Sequence, residues 1–310
     1  MKKYAAVFPG QGSQSVGMLS SVMDNDIVKQ TYAQASEALG YDMLDLTLNG
    51  PESELNKTEV TQPAILTASI AAFRLFMQKA HAPCAFAGHS LGEYSALVAA
   101  GAIDFADALR LVRLRGQAMQ EAVPAGEGAM MAVLGLDDEI IIEACKEASV
   151  GDDAVWAANF NTPGQVVISG CAKAVARAGE ILTARGARRT VALAVSAPSH
   201  CPLMQSAADR LNEALSHIEV KDVTTPVYVN AYAKAISLKD EIVKALILQL
   251  TGPVRWVETV VQLKNDGCEA LIEVGPGKVL TGLNRKIDKS LGAGNVFDMD
   301  SLEKSLEAIA

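Results

Sequence analysis

Residues 88–92, Gly88-His89-Ser90-Leu91-Gly92, follow the spacing G-x-S-x-G between an apolar run and a helical pattern. In that setting a serine is held on a turn so sharp that its neighbours can carry almost no side chain. Its hydroxyl then lies at a helix N-terminus, where backbone N–H groups and the helix dipole can stabilise a developing oxyanion. The chemistry this predicts is nucleophilic acyl transfer by Ser90. The same stretch also reads as S-x-x-E from Ser90 to Glu93, a capping box in which the serine only closes a helix end. A cap needs neither glycine, so the pair of glycines favours the elbow.

A serine hydroxyl needs a base. The chain has four histidines: His81, His89, His200 and His217. His81 and His217 fall near predicted helix C-termini, where a cation has a structural use. His89 sits inside the elbow, and adjacent side chains diverge there, so it is expected to orient groups or line the pocket. His200, in Pro198-Ser199-His200-Cys201-Pro202, precedes a helix with proline in its first turn. The positive end of that helix should disfavour the imidazolium and keep the ring neutral, as a general base requires. The order serine then histidine agrees with α/β-hydrolase topology. Cys201 as a nucleophile has no base placed for it.

An arginine interrupts the most informative helical pattern, which spans about 104–122. At 100° per residue Phe105, Leu109, Val112, Gly116 and Met119 share a face, and Ala108, Leu111, Ala118 and Ala122 widen it. Arg115 falls between Ala108 and Ala122, inside the apolar arc. A guanidinium there is costly unless an anion meets it. The anion is either an internal carboxylate or a carboxylate on the substrate, held bidentately. A substrate with a free carboxylate beside a thioester is malonyl.

Gly10-Gln11-Gly12 follows the apolar run Tyr4 to Phe8. The next glycine is Gly17, so the dinucleotide spacing G-x-G-x-x-G is absent, and so is the Walker pattern. The loop suits a second wall of an oxyanion hole, with the backbone N–H of Gln11 acting beside that of Leu91.

The elements that must position these residues alternate. Short apolar runs at 4–8, 84–88, 226–230 and 270–274 read as buried strands, and helical periods at 25–40, 63–80, 104–122, 202–215 and 239–250 read as helices. From 129 to 195 the order is strand 129–135, helix 137–148, strands 155–160 and 165–170 joined by Asn161-Thr162-Pro163-Gly164, helix 172–185 and strand 188–195. That order, β-α-β-β-α-β, is the split motif of ferredoxin-like domains. The predicted fold is α/β: a hydrolase-like large domain with a parallel sheet over 1–126 and 195–310, and an inserted ferredoxin-like subdomain over 127–194. The residues from about Gly292 carry no clear pattern.

Bulk properties bound the function. The chain has 310 residues, 50% hydrophobic and 20% charged, with a formal net charge of −9. An acidic chain is poorly suited to nucleic acid, and a partner that is itself acidic would need a local basic patch. Lys278, Arg285, Lys286 and Lys289 form one candidate patch, and Arg185, Arg188 and Arg189 another. The five cysteines are scattered, with no C-x-x-C pair, which predicts reduced thiols and neither disulfides nor a zinc site. The apolar run after Met1-Lys2-Lys3 stops at Pro9-Gly10, too soon for a signal peptide, and no run approaches a membrane span. A cytoplasmic location is expected.

Taken together, these pieces resemble the malonyl-CoA:acyl carrier protein transacylases of bacterial fatty acid synthesis. The resemblance covers essentially the whole chain. Its marks are FPGQGSQ at 8–14, TQPAILT at 61–67, GHSLGEYSALVAAG at 88–101, RLRG at 113–116, NFNTPGQVVISG at 159–170, PSHC at 198–201 and EVGPGKVLTGL at 273–283. It implies Ser90 as nucleophile, His200 as base, Gln11 and Leu91 as oxyanion donors, and Arg115 as the malonyl carboxylate anchor. It also implies that a backbone carbonyl, that of Gln249, orients the histidine, and that Asn161 and Gln165 face the pocket. Coenzyme A thioester and a transiently bound acyl carrier protein are the implied partners, with no metal or redox cofactor. A monomeric chain is expected. The competing readings are a free-standing acyltransferase that loads a polyketide synthase, a serine thioesterase or other hydrolase, and a scaffold that binds acyl carriers without catalysis. A hydrolase would release free malonate, and a scaffold would form no acyl-serine.

Overall fold

The computed structural model describes residues 1–195 and 197–310. Among the described residues the ten strands are β1 (Tyr4–Phe8), β2 (Ala85–Gly88), β3 (Gly128–Leu134), β4 (Val155–Thr162), β5 (Gln165–Cys171), β6 (Arg189–Ala192), β7 (Val227–Val229), β8 (Lys234–Ile236), β9 (Ala270–Val274) and β10 (Gly292–Val296). They form two sheets, one of six strands in the order β10-β9-β1-β2-β7-β8 and one of four in the order β4-β5-β3-β6. The chain is thus α/β, with a mostly parallel sheet and a smaller antiparallel one.

The six-stranded sheet is parallel except where β8 folds back on β7. Strand β1 lies inside it and is wholly buried, which is why its sequence, YAAVF, runs apolar without alternation. Its side chains alternate between two helical layers. Tyr4, Ala6 and Phe8 join the core beneath helices Asp26–Leu39, Thr58–Phe76 and Phe105–Ala122. Ala5 and Val7 join Trp256, Val260 and Leu283 from helices Trp256–Asn265 and Val279–Ile287. The register pairs Phe8 with Gly88, so the Gly10-Gln11-Gly12 loop and the serine elbow leave the sheet side by side.

In the four-stranded sheet all three pairings are antiparallel. One face packs Val133, Val155, Val166 and Ile168 against helices Asp138–Ala148 and Ala172–Ala184. The other face holds only a small cluster of Met130, Ala158 and Val167. Strand β4 is tied to the large sheet's layer through Val254, which donates to Ala158 O at 2.8 Å and accepts from Phe160 N at 2.9 Å.

Several boundaries differ from the sequence reading. The helix expected over 63–80 is Thr58–Phe76, so Pro63 lies inside it and not at its start. Its first turn is held by packing: a Cβ on Gly116 would stand 2.7 Å from Glu59 Cα and 2.8 Å from Thr58 O. The helix Phe105–Ala122 therefore approaches closely enough to fix a turn that proline alone would have placed later. His81 consequently lies beyond the helix end, its ring edge-on to Tyr4. Strand β4 runs through Thr162, leaving Pro163-Gly164 as the hairpin turn, with Gly164 at φ +74°. The strand expected over 188–195 is only Arg189–Ala192.

Residues after 292, silent in sequence, form β10 and the helix Met299–Ile309. Strand β10, GAGNV, gains its conformation by pairing in register with β9, and the helix is capped by Asp298, whose side chain accepts from Ser301 N. Among the described residues, no helix is long and apolar enough to cross a membrane.

Candidate active site

Strand β2 ends at Gly88, helix Gly92–Ala100 follows, and Ser90 between them has φ +51°, a left-handed conformation that a non-glycine residue adopts at a cost of about 1–3 kcal/mol. The flanking glycines are required by contact. A Cβ on Gly88 would fall 1.9 Å from Gly92 C, and one on Gly92 would fall 2.0 Å from Phe8 O. Gly10 meets the same constraint from the adjacent loop, its Cβ position being 2.5 Å from His89 O. The elbow is thus pressed against the end of β1. The capping-box alternative is not formed. Glu93 accepts the backbone N–H of Asn230 at 2.6 Å, while the Ser90 N–H goes to Asn230 Oδ1 at 2.7 Å.

His200 Nε2 lies 2.7 Å from Ser90 Oγ, and His200 Nδ1 lies 2.8 Å from the Gln249 carbonyl oxygen. A carbonyl only accepts, so Nδ1 carries the proton and Nε2 is left to accept from the serine hydroxyl. The Gln249 carbonyl is available because its partner in a continuing helix would be residue 253, a proline without an N–H. His200 is 4% exposed. Burial, then the nearby Arg115 cation, pulls its pKa down to about 3 from 6.5. The helix N-terminus expected just after His200 stands further along the chain, because a 3-10 turn, Pro202–Met204, precedes the helix Gln205–Leu215.

Arg115 is 1% exposed and lies where the helical wheel placed it, inside the apolar arc. Its partners are neutral. Nη1 donates to Gln62 Oε1 at 2.9 Å, and Nη2 donates to Gln249 Oε1 at 3.1 Å and towards Ser90 Oγ at 3.4 Å. The guanidinium carbon sits 5.4 Å from the centre of the Tyr94 ring, and Nε has no partner. Arg115 forms no direct ion pair among the described residues, and the internal carboxyl that acts on it electrostatically, Glu93, is itself pushed towards its neutral form by burial.

These groups open into one cavity of about 480 Å³. Gln11, Ser90, Leu91, Arg115 and His200 line it from the large sheet's side, and Met130, Asn161 and Val167 from the small sheet's side. Among the described residues, the backbone N–H groups of Gln11 and Leu91 donate to no protein acceptor. His89 lines the cavity too, with Nε2 2.8 Å from Asn161 Oδ1 and its ring edge-on to Trp256. Burial lowers its pKa.

Gln165 is the exception. It pairs with Thr162 and Leu134 at the hairpin end, outside the cavity, and Val167, two residues further along the same face, takes its place. Gln62, Tyr94, Asn159 and Asn230 carry no role in the sequence reading, and Glu93 enters it only as the acidic end of a capping box. Gln62 lies in the TQPAILT segment and could have been suspected there. Asn230 could not, because its link to the elbow depends on β7 lying beside β2. Among the described residues, no group of three or more His, Cys, Asp or Glu side chains is arranged to hold a metal ion.

Comparison with known proteins gives consistent matches. Residues 6–299 match the family described as acyl transferase domain. The chain is 52% identical over 309 residues to the malonyl CoA-acyl carrier protein transacylase of Escherichia coli K12, covering 99% of this chain and 100% of that one. It is 43% identical to the protein of that name from Bacillus subtilis, covering 100% and 98%. Among solved structures it is similar to an acyl carrier protein S-malonyltransferase from Vibrio cholerae, with 52% identity, TM-score 0.96 and coverage of 98% and 99%. The same figures hold for a malonyl-transacylase in complex with AntF, a type II PKS acyl-carrier protein.

Proposed function

The chain belongs to the malonyl CoA-acyl carrier protein transacylase family of acyltransferases, and from that membership we propose that it moves malonyl from coenzyme A to the phosphopantetheine thiol of an acyl carrier protein. The observation that carries the proposal is the meeting of His200 Nε2 and Arg115 Nη2 at one oxygen, Ser90 Oγ, in one cavity. Base and carboxylate anchor then stand on opposite needs of the same substrate.

The malonyl carboxylate binds Arg115, a buried cation whose present hydrogen-bond partners are all neutral. Ser90 Oγ attacks the thioester carbonyl while its proton passes to His200 Nε2. The tetrahedral oxyanion is received by the N–H groups of Gln11 and Leu91. The C–S bond breaks, the proton moves to the departing sulfur, and malonyl-Ser90 remains. A carrier-protein thiol repeats the steps in reverse. Exchange of thioester for ester uses a nucleophile, a base and oxyanion donors, so no metal or redox cofactor is called on. His89 and Asn161, held to each other, shape the wall of the acyl site.

The carrier is expected to be acidic, and the patch of Lys278, Arg285, Lys286 and Lys289 is the better of the two docking candidates. All four are exposed, none is in an ion pair among the described residues, and the adjoining residues Val279, Leu280 and Leu283 line the cavity. Arg185 in the rival patch is already paired with Glu147 and Glu143.

The division into a hydrolase-like unit, 1–126 with 195–310, and a ferredoxin-like unit, 127–194, belongs to the same reading. It is supported by the parallel order around β1 and by the strand order β4-β5-β3-β6 with both helices on one face. A monomer acting in the cytoplasm completes it. A second reading, loading of a polyketide carrier, is favoured by the likeness to the transacylase bound to AntF.

Intact-protein mass spectrometry after mixing with malonyl-CoA alone, with Ser90→Ala in parallel, tests the proposal. One malonyl group on the Ser90 peptide, discharged by a fatty acid carrier protein, is the expected result. Free malonate without need of a carrier would mean a hydrolase. Discharge only by a polyketide carrier would favour the second reading, and no adduct with no turnover would overturn both.

A further inference from the structure

The nucleophile's backbone is gripped by a side chain from a different strand end. Asn230 follows β7 and is wholly buried. Its carboxamide spans the elbow: Oδ1 accepts the Ser90 N–H at 2.7 Å and Nδ2 donates to Gly88 O at 2.6 Å. One planar group thus ties both peptide units that flank His89. The Asn230 backbone is fixed in turn, because its N–H donates to Glu93 Oε2 at 2.6 Å. Glu93 lies in the first turn of the helix that leaves the elbow, so the links close a ring through Gly88, Asn230, Glu93 and Ser90.

We propose that Asn230, braced by Glu93, is a positioning residue that holds Ser90 in its left-handed conformation for catalysis. The inference rests on Ser90 being the nucleophile. A left-handed serine relaxes unless its surroundings over-determine it. Rotation at Ser90 would carry Oγ off His200 and re-aim the Leu91 N–H, so loss of the grip falls on the reacting geometry. Glu93 is itself fully buried with Oε1 unpartnered, faced by Arg115, Tyr94 and Gln249. A carboxyl so placed is costly to a fold, and its contact with Asn230 supplies the reason for it.

The test follows malonyl-enzyme formation by rapid-quench mass spectrometry in Asn230→Ala, Asn230→Asp, Glu93→Ala and Glu93→Gln, with kcat, KM for malonyl-CoA and Tm for each. Asn230→Ala is expected to lower kcat about 30-fold or more with KM changed less than about threefold. Asn230→Asp keeps the acceptor for Ser90 N–H but sets an oxygen against Gly88 O, and kcat falls by a smaller factor. It carries the test if the alanine variant does not fold. Glu93→Gln retains an acceptor for the Asn230 N–H and recovers most of the rate lost in Glu93→Ala. A wild-type kcat in folded Asn230→Ala, or a loss confined to KM or Tm, overturns the inference alone. An adduct that persists in Ser90→Ala overturns the nucleophile reading, and this one with it.

Discussion

Arg115 and His200 converge on a single atom, Ser90 Oγ, at 3.4 and 2.7 Å. The guanidinium therefore does two things from one position. It presents a buried positive charge to the acyl site, and it presses the imidazole towards its neutral form. Gln249 locks the arrangement. Its backbone carbonyl holds His200 Nδ1, its Oε1 holds Arg115, and its Nε2 donates to Ser90 O at 3.0 Å.

Arg115→Ala is expected to reduce malonyl transfer by about 10- to 100-fold, the worth of a charge-assisted hydrogen bond. Acetyl transfer has no carboxylate to lose and should change by less than about threefold. Parallel assays with malonyl-CoA and acetyl-CoA decide it. Equal losses for both donors would remove the carboxylate role.

The pH dependence of activity follows from the base. With its pKa pulled down to about 3, His200 stays neutral and able to accept a proton well below the 6.5 of an ordinary histidine. The acid limb of kcat/KM due to this residue should lie far under pH 6.5 in the wild type. Removing the Arg115 cation should move the limb upward, with burial keeping it below 6.5. A limb that stays put in Arg115→Ala would show that the cation does not act on the ring.

Stability carries two opposed terms from the same site. His200, depressed in the fold, binds fewer protons folded than unfolded, so its contribution is full above 6.5 and is lost as pH falls towards about 3. Glu93, raised by burial from 4.5 to about 7, binds more protons folded, so its contribution is full below 4.5 and is lost as pH rises to about 7. Between 4.5 and 6.5 they offset each other. Glu93→Gln should therefore steepen the fall in Tm on acidification across that window. An unchanged slope would exclude Glu93 as a titrating group there.

Gly92→Ala should damage the fold more than an ordinary glycine replacement in a helix. The new Cβ would occupy the place of Phe8 O, so β1 and the elbow must separate. A loss of at least about 3 kcal/mol is expected, at or above the usual range for overpacking, together with loss of Ser90 acylation. Thermal or urea unfolding with the acylation assay reads both. A stable, fully active variant would mean that the elbow is not pressed against β1.

Charge reversal of Arg285 and Lys286 should raise KM for the carrier protein by roughly tenfold, through lost attraction to an acidic partner, while malonyl-enzyme formation from malonyl-CoA is unaltered. Reversal at Arg188 and Arg189 should leave both half-reactions unchanged. The opposite pattern would transfer the docking role to the second patch.

The chemistry-bearing residues were legible in the sequence wherever their signal is local. The glycine spacing around Ser90 marks a turn that tolerates no side chain, and Arg115 stands out because helical periodicity sends it into an apolar face. The order of strands and helices along 127–194 agrees with the sequence reading element by element. What periodicity could not supply was which ends become neighbours. The pairing of Phe8 with Gly88 brings Gln11 beside Leu91, and β7 beside β2 brings Asn230 under Ser90. The hairpin turn put Val167, and not Gln165, at the cavity wall. Residues 292–296 became a strand only because β9 offered an edge. Sequence spacing determines local conformation because sterics act between near residues. The contacts that finish the site join residues far apart in sequence, 110 positions for Ser90 with His200 and 159 for Ser90 with Gln249, and only the packed sheet selects them.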